Sequence, residues 1–300
     1  MKANCMLVVA RVGLAALLLA ACVGLAAALQ PQQAEAAGYT PHLQSVGWKD
    51  WFDDETVAAT SSQPPCFEAI FYAASMYPKY IAKGLSGETT HTTTPLDDLN
   101  DLPQPGDYIT FGNYEQDNNT SNGKEPIEWF VLDVDEDNNK ALVVSKYALD
   151  CQYYHGEDGD PITWEKCDLR YWLNGDFLLD AFTGKERLRI PYTTVHTPDN
   201  PTSGQPGGND TSDQIFLLSI GEVRSYFFSN GERMCVPTAY AVAQGAEQEG
   251  SADTCVWWMR SPGYNIGDAA FVTAEGLVNV DGDSCCDRYI GVRPAMWLNL

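Results

Sequence analysis

Seven cysteines follow the first 36 residues: Cys66, Cys151, Cys167, Cys235, Cys255, Cys285 and Cys286. Their chemistry is either metal binding or disulfide formation. Zinc sites usually use short CxxC or HxxxH spacings. None occurs, and His42, His91, His155 and His196 are scattered. Disulfides are therefore the expected use, as in an oxidising compartment. Cys151 is expected to pair with Cys167, and Cys235 with Cys255, each pair bracketing a turn-rich segment. A closed loop of about 15 residues stabilises by roughly 3 kcal/mol in the chain-entropy picture. Cys66, Cys285 and Cys286 are left without an assigned partner.

Other chemical patterns are incomplete. Asp133, Asp135, Asp137 and Asn139 imitate the start of a calcium loop but lack its central glycine and distant glutamate. No Gly-x-Ser-x-Gly, phosphate loop or His-Glu-x-x-His occurs. No metal, cofactor or catalysis is expected. Arg260 and Arg293 sit in strand-like runs beside Trp257 and Trp297. Either arginine could clamp a carboxylate ligand. The favoured role is structural, with each arginine paired to an acid such as Asp168 or Asp268.

Composition limits the partners. The 300 residues carry a formal charge of −23, with 44% hydrophobic and 11% aromatic residues, enough for a packed core. Such acidity repels phosphate backbones, so nucleic acid is not an expected partner. Residues 1–37 read as an export leader: Lys2 and Arg11, an apolar run from Val12 to Leu29, then Ala34-Glu35-Ala36. Cleavage is expected after Ala36. Leu19-Ala20-Ala21-Cys22 offers a lipobox alternative with Cys22 lipidated, and a retained membrane anchor is the third reading. A membrane is expected as partner only in those two cases. The mature chain is expected to be secreted or held at the cell surface.

The elements that must position these residues fall into three parts. Residues 38–75 are expected to form a short β module. Residues 76–105 include Ser86-Gly87-Glu88-Thr89-Thr90-His91-Thr92-Thr93-Thr94-Pro95 and read as a solvated threonine-rich linker. Residues 106–300 form the main domain. Asp107 to Gly112 alternates like an edge strand. Ile127–Val134 and Lys140–Ser145 flank Asp135-Glu136-Asp137-Asn138-Asn139 as a hairpin. Thr163–Leu173 reads as a short helix, and Ser219 with Glu222 as a capping box before Val223–Phe228. Helices between strands imply an α+β domain. Its first strand is expected to pair with its last, bringing Ile109 beside a buried Trp297.

Two resemblances extend this reading. Gly47-Trp48, Trp51, Ala58-Ala59-Thr60 and Phe67-Glu68-Ala69-Ile70 resemble one clostridial hydrophobic repeat. That implies a small all-β module whose Trp48 and Trp51 contact macromolecules. In the main domain, Gly106-Asp107-Tyr108-Ile109, Trp129-Phe130-Val131-Leu132, Trp164 to Asn174, Phe216 to Ser219, Pro237 to Ala241, Trp257 to Gly263 and Gly291 to Leu298 resemble a bacterial extracytoplasmic domain family of unknown function. More distantly they resemble the C-type-lectin-like fold of formylglycine-generating enzymes and retroelement variable proteins. The adjacent Cys285-Cys286 is a poor match to the copper-binding pair of such enzymes. The tripeptides of calcium-dependent lectins are absent too. The resemblance to variable proteins implies that ligand contacts lie between the late strands, at Tyr264, Asn265, Asp281, Asp283, Arg288 and Tyr289. The expected function is binding or adhesion to an extracellular glycan, cell-wall polymer or protein. An exported enzyme and a structural spacer are the alternatives.

Overall fold

The computed structural model describes residues 93–99, 101–157, 161–249 and 253–300. The chain divides into two units, Met1–Thr90 and His91–Leu300, and every described residue belongs to the second. The expected leader, the repeat module with Trp48 and Trp51, and Cys66 lie outside the described residues. Among those described, no helix is long and apolar enough to cross a membrane.

The unit is mixed α+β, mostly strands with few helices. One five-stranded sheet has the order β1 (Thr93–Pro95), β2 (Tyr108–Tyr114), β3 (Glu125–Asp135), β4 (Lys140–Ser145), β14 (Ala295–Asn299). The expected hairpin is there: β3 alternates buried Ile127, Trp129 and Val131 with part-exposed Glu128 and Phe130. Asp135 accepts hydrogen bonds from Asn138 and so closes the turn. The carboxylates that imitate a calcium loop are thus partly spent on turn geometry.

Three expectations change here. The stretch Thr93–Pro95 is a strand paired in parallel with β2, not spacer. Thr93 Oγ1 donates to Glu128 Oε2 at 3.1 Å and Leu96 is buried, so β-branched residues meet a free sheet edge. β2 is consequently not an edge strand. The first and last strands also do not pair: β2 lies between β1 and β3, and Ile109 faces Trp129. The β3–β4 hairpin intervenes, and β14 takes the outer edge of β4, with Trp297 opposite Leu142. On this edge strand Trp297 is only partly buried.

A second five-stranded sheet has the order β12 (Val278–Ser284), β11 (Asp268–Val272), β10 (Trp257–Pro262), β13 (Gly291–Val292), β5 (Asp150–Cys151). All six residues of β10 are buried, and Pro262 ends it, as a residue without an N–H should. Small pairs complete the strands: β6 (Thr193–Val195) with β7 (Thr211–Asp213), and β8 (Gln248–Glu249) with β9 (Thr254–Cys255).

The middle of the chain is helical. Instead of beginning at Thr163, α1 (Asp168–Trp172) starts after a turn and continues through a π-helical turn, Leu173–Phe177, into α2 (Leu178–Ala181). Asn174 anchors this bulge: its Nδ2 donates to Ile215 O at 2.8 Å and its Oδ1 accepts from Gln214 N at 2.9 Å. Then come α3 (Gly184–Arg187), α4 (Ile220–Tyr226), α5 (Asn230–Arg233) and α6 (Ala239–Gln244). The capping box of Ser219 and Glu222 heads α4 as expected, and Thr183 with Glu186 forms a second before α3.

One core takes side chains from both sheets and the helices. Trp129, Trp164, Trp257 and Trp258 are fully buried in it. Each indole N–H finds an acceptor: Phe111 O, Asp213 Oδ2, Arg233 O and Gln152 O, at 2.7 to 3.0 Å.

The cysteines depart from expectation. Cys151, Cys167, Cys235 and Cys255 are free thiols, so neither expected disulfide is formed. Cys151 Sγ donates to Arg288 O and Ile290 O, whereas Cys167 Sγ donates to Trp164 O; the two are held against different segments. Burial pushes each of these thiols up to about 12. Cys235 and Cys255, by contrast, face each other across an antiparallel bridge.

Candidate functional site

The two arginines of the late strands are built into the fold. Arg260 is buried and clamps Glu222 through both terminal nitrogens, Nη2 standing 2.9 Å from Oε1. The same two nitrogens also donate to Leu217 O and His196 O at 2.7 and 2.8 Å, while Nε is buried without a hydrogen-bond partner. The partner is therefore Glu222, not Asp168 or Asp268. Asp168 Oδ2 instead lies 3.0 Å from His155 Nδ1 and accepts from Gly156 N at 2.9 Å. Arg293 lies between the rings of Phe227 and Trp257, 5.1 and 5.0 Å from their centroids. No carboxylate pairs with it among the described residues. Trp257 is buried as a structural residue should be, while Trp297 is only partly buried.

The expected contact residues do come together. They lie where β10 turns into β11 and where β12 leads to β13. Cys285 N donates to Gly267 O, and His155 N donates to Cys285 O, both at 2.9 Å. Three segments are thus laid side by side: 263–267, 281–289 and 153–157. Tyr264 N donates to Asp281 O at 2.6 Å, which braces the tip. Gly282 makes this close approach feasible. Its φ is +80°, and a Cβ there would stand 2.6 Å from Ala269 O.

On this face Tyr264 and Ile266 are 48% and 56% exposed. Asn265 Nδ2 donates to Asp268 Oδ2 at 2.8 Å. Tyr289 Oη donates to Asp283 Oδ2 at 2.5 Å. Arg288 lies over the Tyr153 ring, 4.9 Å from its centroid. Asp287 is raised to about 6, first by burial, then by the neighbouring Asp283 carboxylate, with Asp268 adding to it. Burial and the bond to Asp283 likewise raise Tyr289. Apolar side chains, an aromatic–guanidinium stack and acidic groups therefore share one surface. Sequence reasoning missed Tyr153, His155, Ile266 and Asp287; only the placement of Ile266 and Asp287 inside the expected loops pointed to them.

A second place could hold a cation. Ligand oxygens of Glu115, Asp117 and Glu125 lie within 4.8 Å of one another. Each has protein donors. Glu115 Oε1 and Asp117 Oδ1 accept from Asn119 N, and Glu125 Oε2 accepts from Gln116 N. Asp117 is held below the usual carboxylate range, chiefly by the Asn122 side chain. Asp117 and Glu125 also line a cleft of about 570 Å³ with Glu128, Tyr147 and Pro237.

The sequence profile of a domain of unknown function, DUF6273, matches residues 138–300, more than half of the chain. The chain belongs to the DUF6273 family. The DUF6273 match begins in the β3–β4 turn, so it contains the whole second sheet and the contact face but only β4 and β14 of the first. No curated protein and no solved structure matches the chain.

Proposed function

We propose that this is a secreted or cell-surface binding protein that recognises an extracellular glycan, cell-wall polymer or protein through the face carrying Tyr264, Ile266, Arg288 and Tyr289. The carrying observation is the hydrogen-bonded stack of segments 263–267, 281–289 and 153–157. It presents exposed apolar and aromatic groups on a braced backbone, so little ordering entropy is lost on contact. The resemblance to C-type-lectin-like variable proteins, whose ligand contacts lie between late strands, supports the same place. The leader-like N-terminus supports export.

An exported enzyme would need acid–base groups in a cleft. The cleft beside Glu128 is the place to look, but its carboxylates are engaged. Glu128 Oε2 accepts from Lys146 and Thr93, and Asp117 and Glu125 accept from main-chain amides. Binding is the reading we adopt. Incubating the whole chain with an array of glycans, cell-wall polymers and surface proteins tests it. Wild type should be captured by one class, and a Tyr264→Ala/Ile266→Ala variant of unchanged melting temperature should not.

A further inference from the structure

The pair Cys235 and Cys255 stands on its own observations. Cys255 N donates to Cys235 O at 2.8 Å across the bridge, and both residues are buried. Each thiol acts on the titration of the other. Cys235 Sγ also approaches Lys146 O, the carbonyl next to the one that Arg293 Nε binds, Ser145 O at 2.9 Å. Arg293 is 4% exposed, its Nη1 is buried without a hydrogen-bond partner, and no carboxylate pairs with it among the described residues. An uncompensated buried charge is costly. An anion beside it would offset that cost, and the groups acting with Arg293 here are the thiols of Cys235 and Cys255 and the phenol of Tyr108.

We propose that Cys235 and Cys255 form a reversible thiol–disulfide exchange site, in which Cys235 carries the attacking thiolate against the buried Arg293 guanidinium and the co-reactant is a low-molecular-weight disulfide. In the first step the Cys235 thiolate attacks one sulfur of the external disulfide. That S–S bond breaks, a mixed disulfide forms on Cys235, and one small thiolate leaves with the electron pair. Cys255 then passes its proton to the departed thiolate, and its sulfur attacks the Cys235 sulfur. The second small thiolate leaves and takes from solvent the proton that Cys235 released on ionising. The protein has lost two electrons, and the external disulfide has become two thiols.

The charge arrangement sets the direction of the equilibrium. Burial pushes the Cys235 thiol up, but the neighbouring Cys255 thiol and the Arg293 charge outweigh it and lower it to about 7. The reduced pair thereby gains a counter-ion for Arg293 that the disulfide lacks. Reduced-state stabilisation of this kind makes a disulfide oxidising and labile. The groups facing Cys235 are Cys255 and Arg293. Cys151 acts on Cys255 from beyond, and Lys146 and Glu128 surround Tyr108. Because both sulfurs are buried, exchange requires local opening of the two-residue strands β8 and β9 and is slow.

The test equilibrates the full chain for hours in mixtures of reduced and oxidised glutathione from pH 6 to pH 8, traps thiols by alkylation, and maps peptides. A linked Cys235–Cys255 peptide is expected, reversed by excess reduced glutathione. The oxidation constant should be flat below the Cys235 midpoint near pH 7 and fall by about tenfold per pH unit above it, because the reduced form then lacks a proton that the products take up. Arg293→Met should raise the constant and flatten the profile. If that variant does not fold, the wild-type profile decides, together with thiolate absorbance near 240 nm in Cys255→Ser. No linked peptide at any ratio, or a constant that stays flat through pH 8, overturns the proposal.

Discussion

Arg260 on β10 and Glu222 on α4 are joined by a two-point ion pair, with the guanidinium buried at 3% side-chain exposure. Glu222 is also the third residue of the capping box, so one carboxylate fixes both the helix start and the strand. Removing one member of a buried pair strands the other's charge. Glu222→Ala is expected to cost about 3 kcal/mol, at the low end for such pairs because the glutamate is partly exposed. Ser219→Ala, which removes only the cap, should cost about 1 kcal/mol. Urea denaturation of both variants checks the difference; equal costs would deny the ion pair its role.

The tryptophans separate by burial. Trp258 is fully buried in the core and its indole donates to Gln152 O, so Trp258→Ala should cost about 3–5 kcal/mol. Trp297 lies on an edge strand and keeps part of its surface in water. Trp297→Ala should cost about 1–2 kcal/mol. Thermal melts rank the two, and a Trp297→Ala loss as large as that of Trp258→Ala would place Trp297 in the core and not at an edge.

Asp287 gives the contact face a pH signature. Its carboxyl is raised from 3.8 to about 6 in the folded protein. The folded state therefore holds this proton more tightly than the unfolded chain does. Its contribution to stability is present below pH 3.8 and is lost as pH rises to about 6. Asp287→Asn keeps the neutral form at every pH. The variant should melt higher than wild type at pH 7, and the two melting temperatures should converge towards pH 4. A gap that is independent of pH would show that Asp287 titrates normally.

Some of this architecture was legible in the chain. The β3–β4 hairpin could be read because Ile127, Trp129 and Val131 alternate before a cluster of turn formers. Ser219 and Glu222 announced α4, and Arg260 read as structural. The pairing of distant segments was not legible. Thr93–Pro95 looks like spacer because polar β-branched residues become a strand only when an edge such as β2 is offered. Nothing local told β14 to join β4 rather than β2, since any free edge satisfies its hydrogen bonds. Arg260 and Asp168 each had several acids or bases within plausible reach, and only the fold chose Glu222 for one and His155 for the other. The loops at 264–267 and 281–289 could be named from composition, but the third segment, with Tyr153 and His155, is contributed by a stretch far earlier in the chain.

We propose that the braced face between the late strands binds an extracellular partner. The most direct measurement compares wild type with Tyr264→Ala/Ile266→Ala on the same array of glycans, cell-wall polymers and surface proteins, with melting temperatures recorded for both. Wild type should be captured by one ligand class, and the variant at least tenfold more weakly, a loss of about 1.4 kcal/mol or more, at unchanged stability. Equal capture of the two proteins, or no capture of wild type by any ligand, would contradict it.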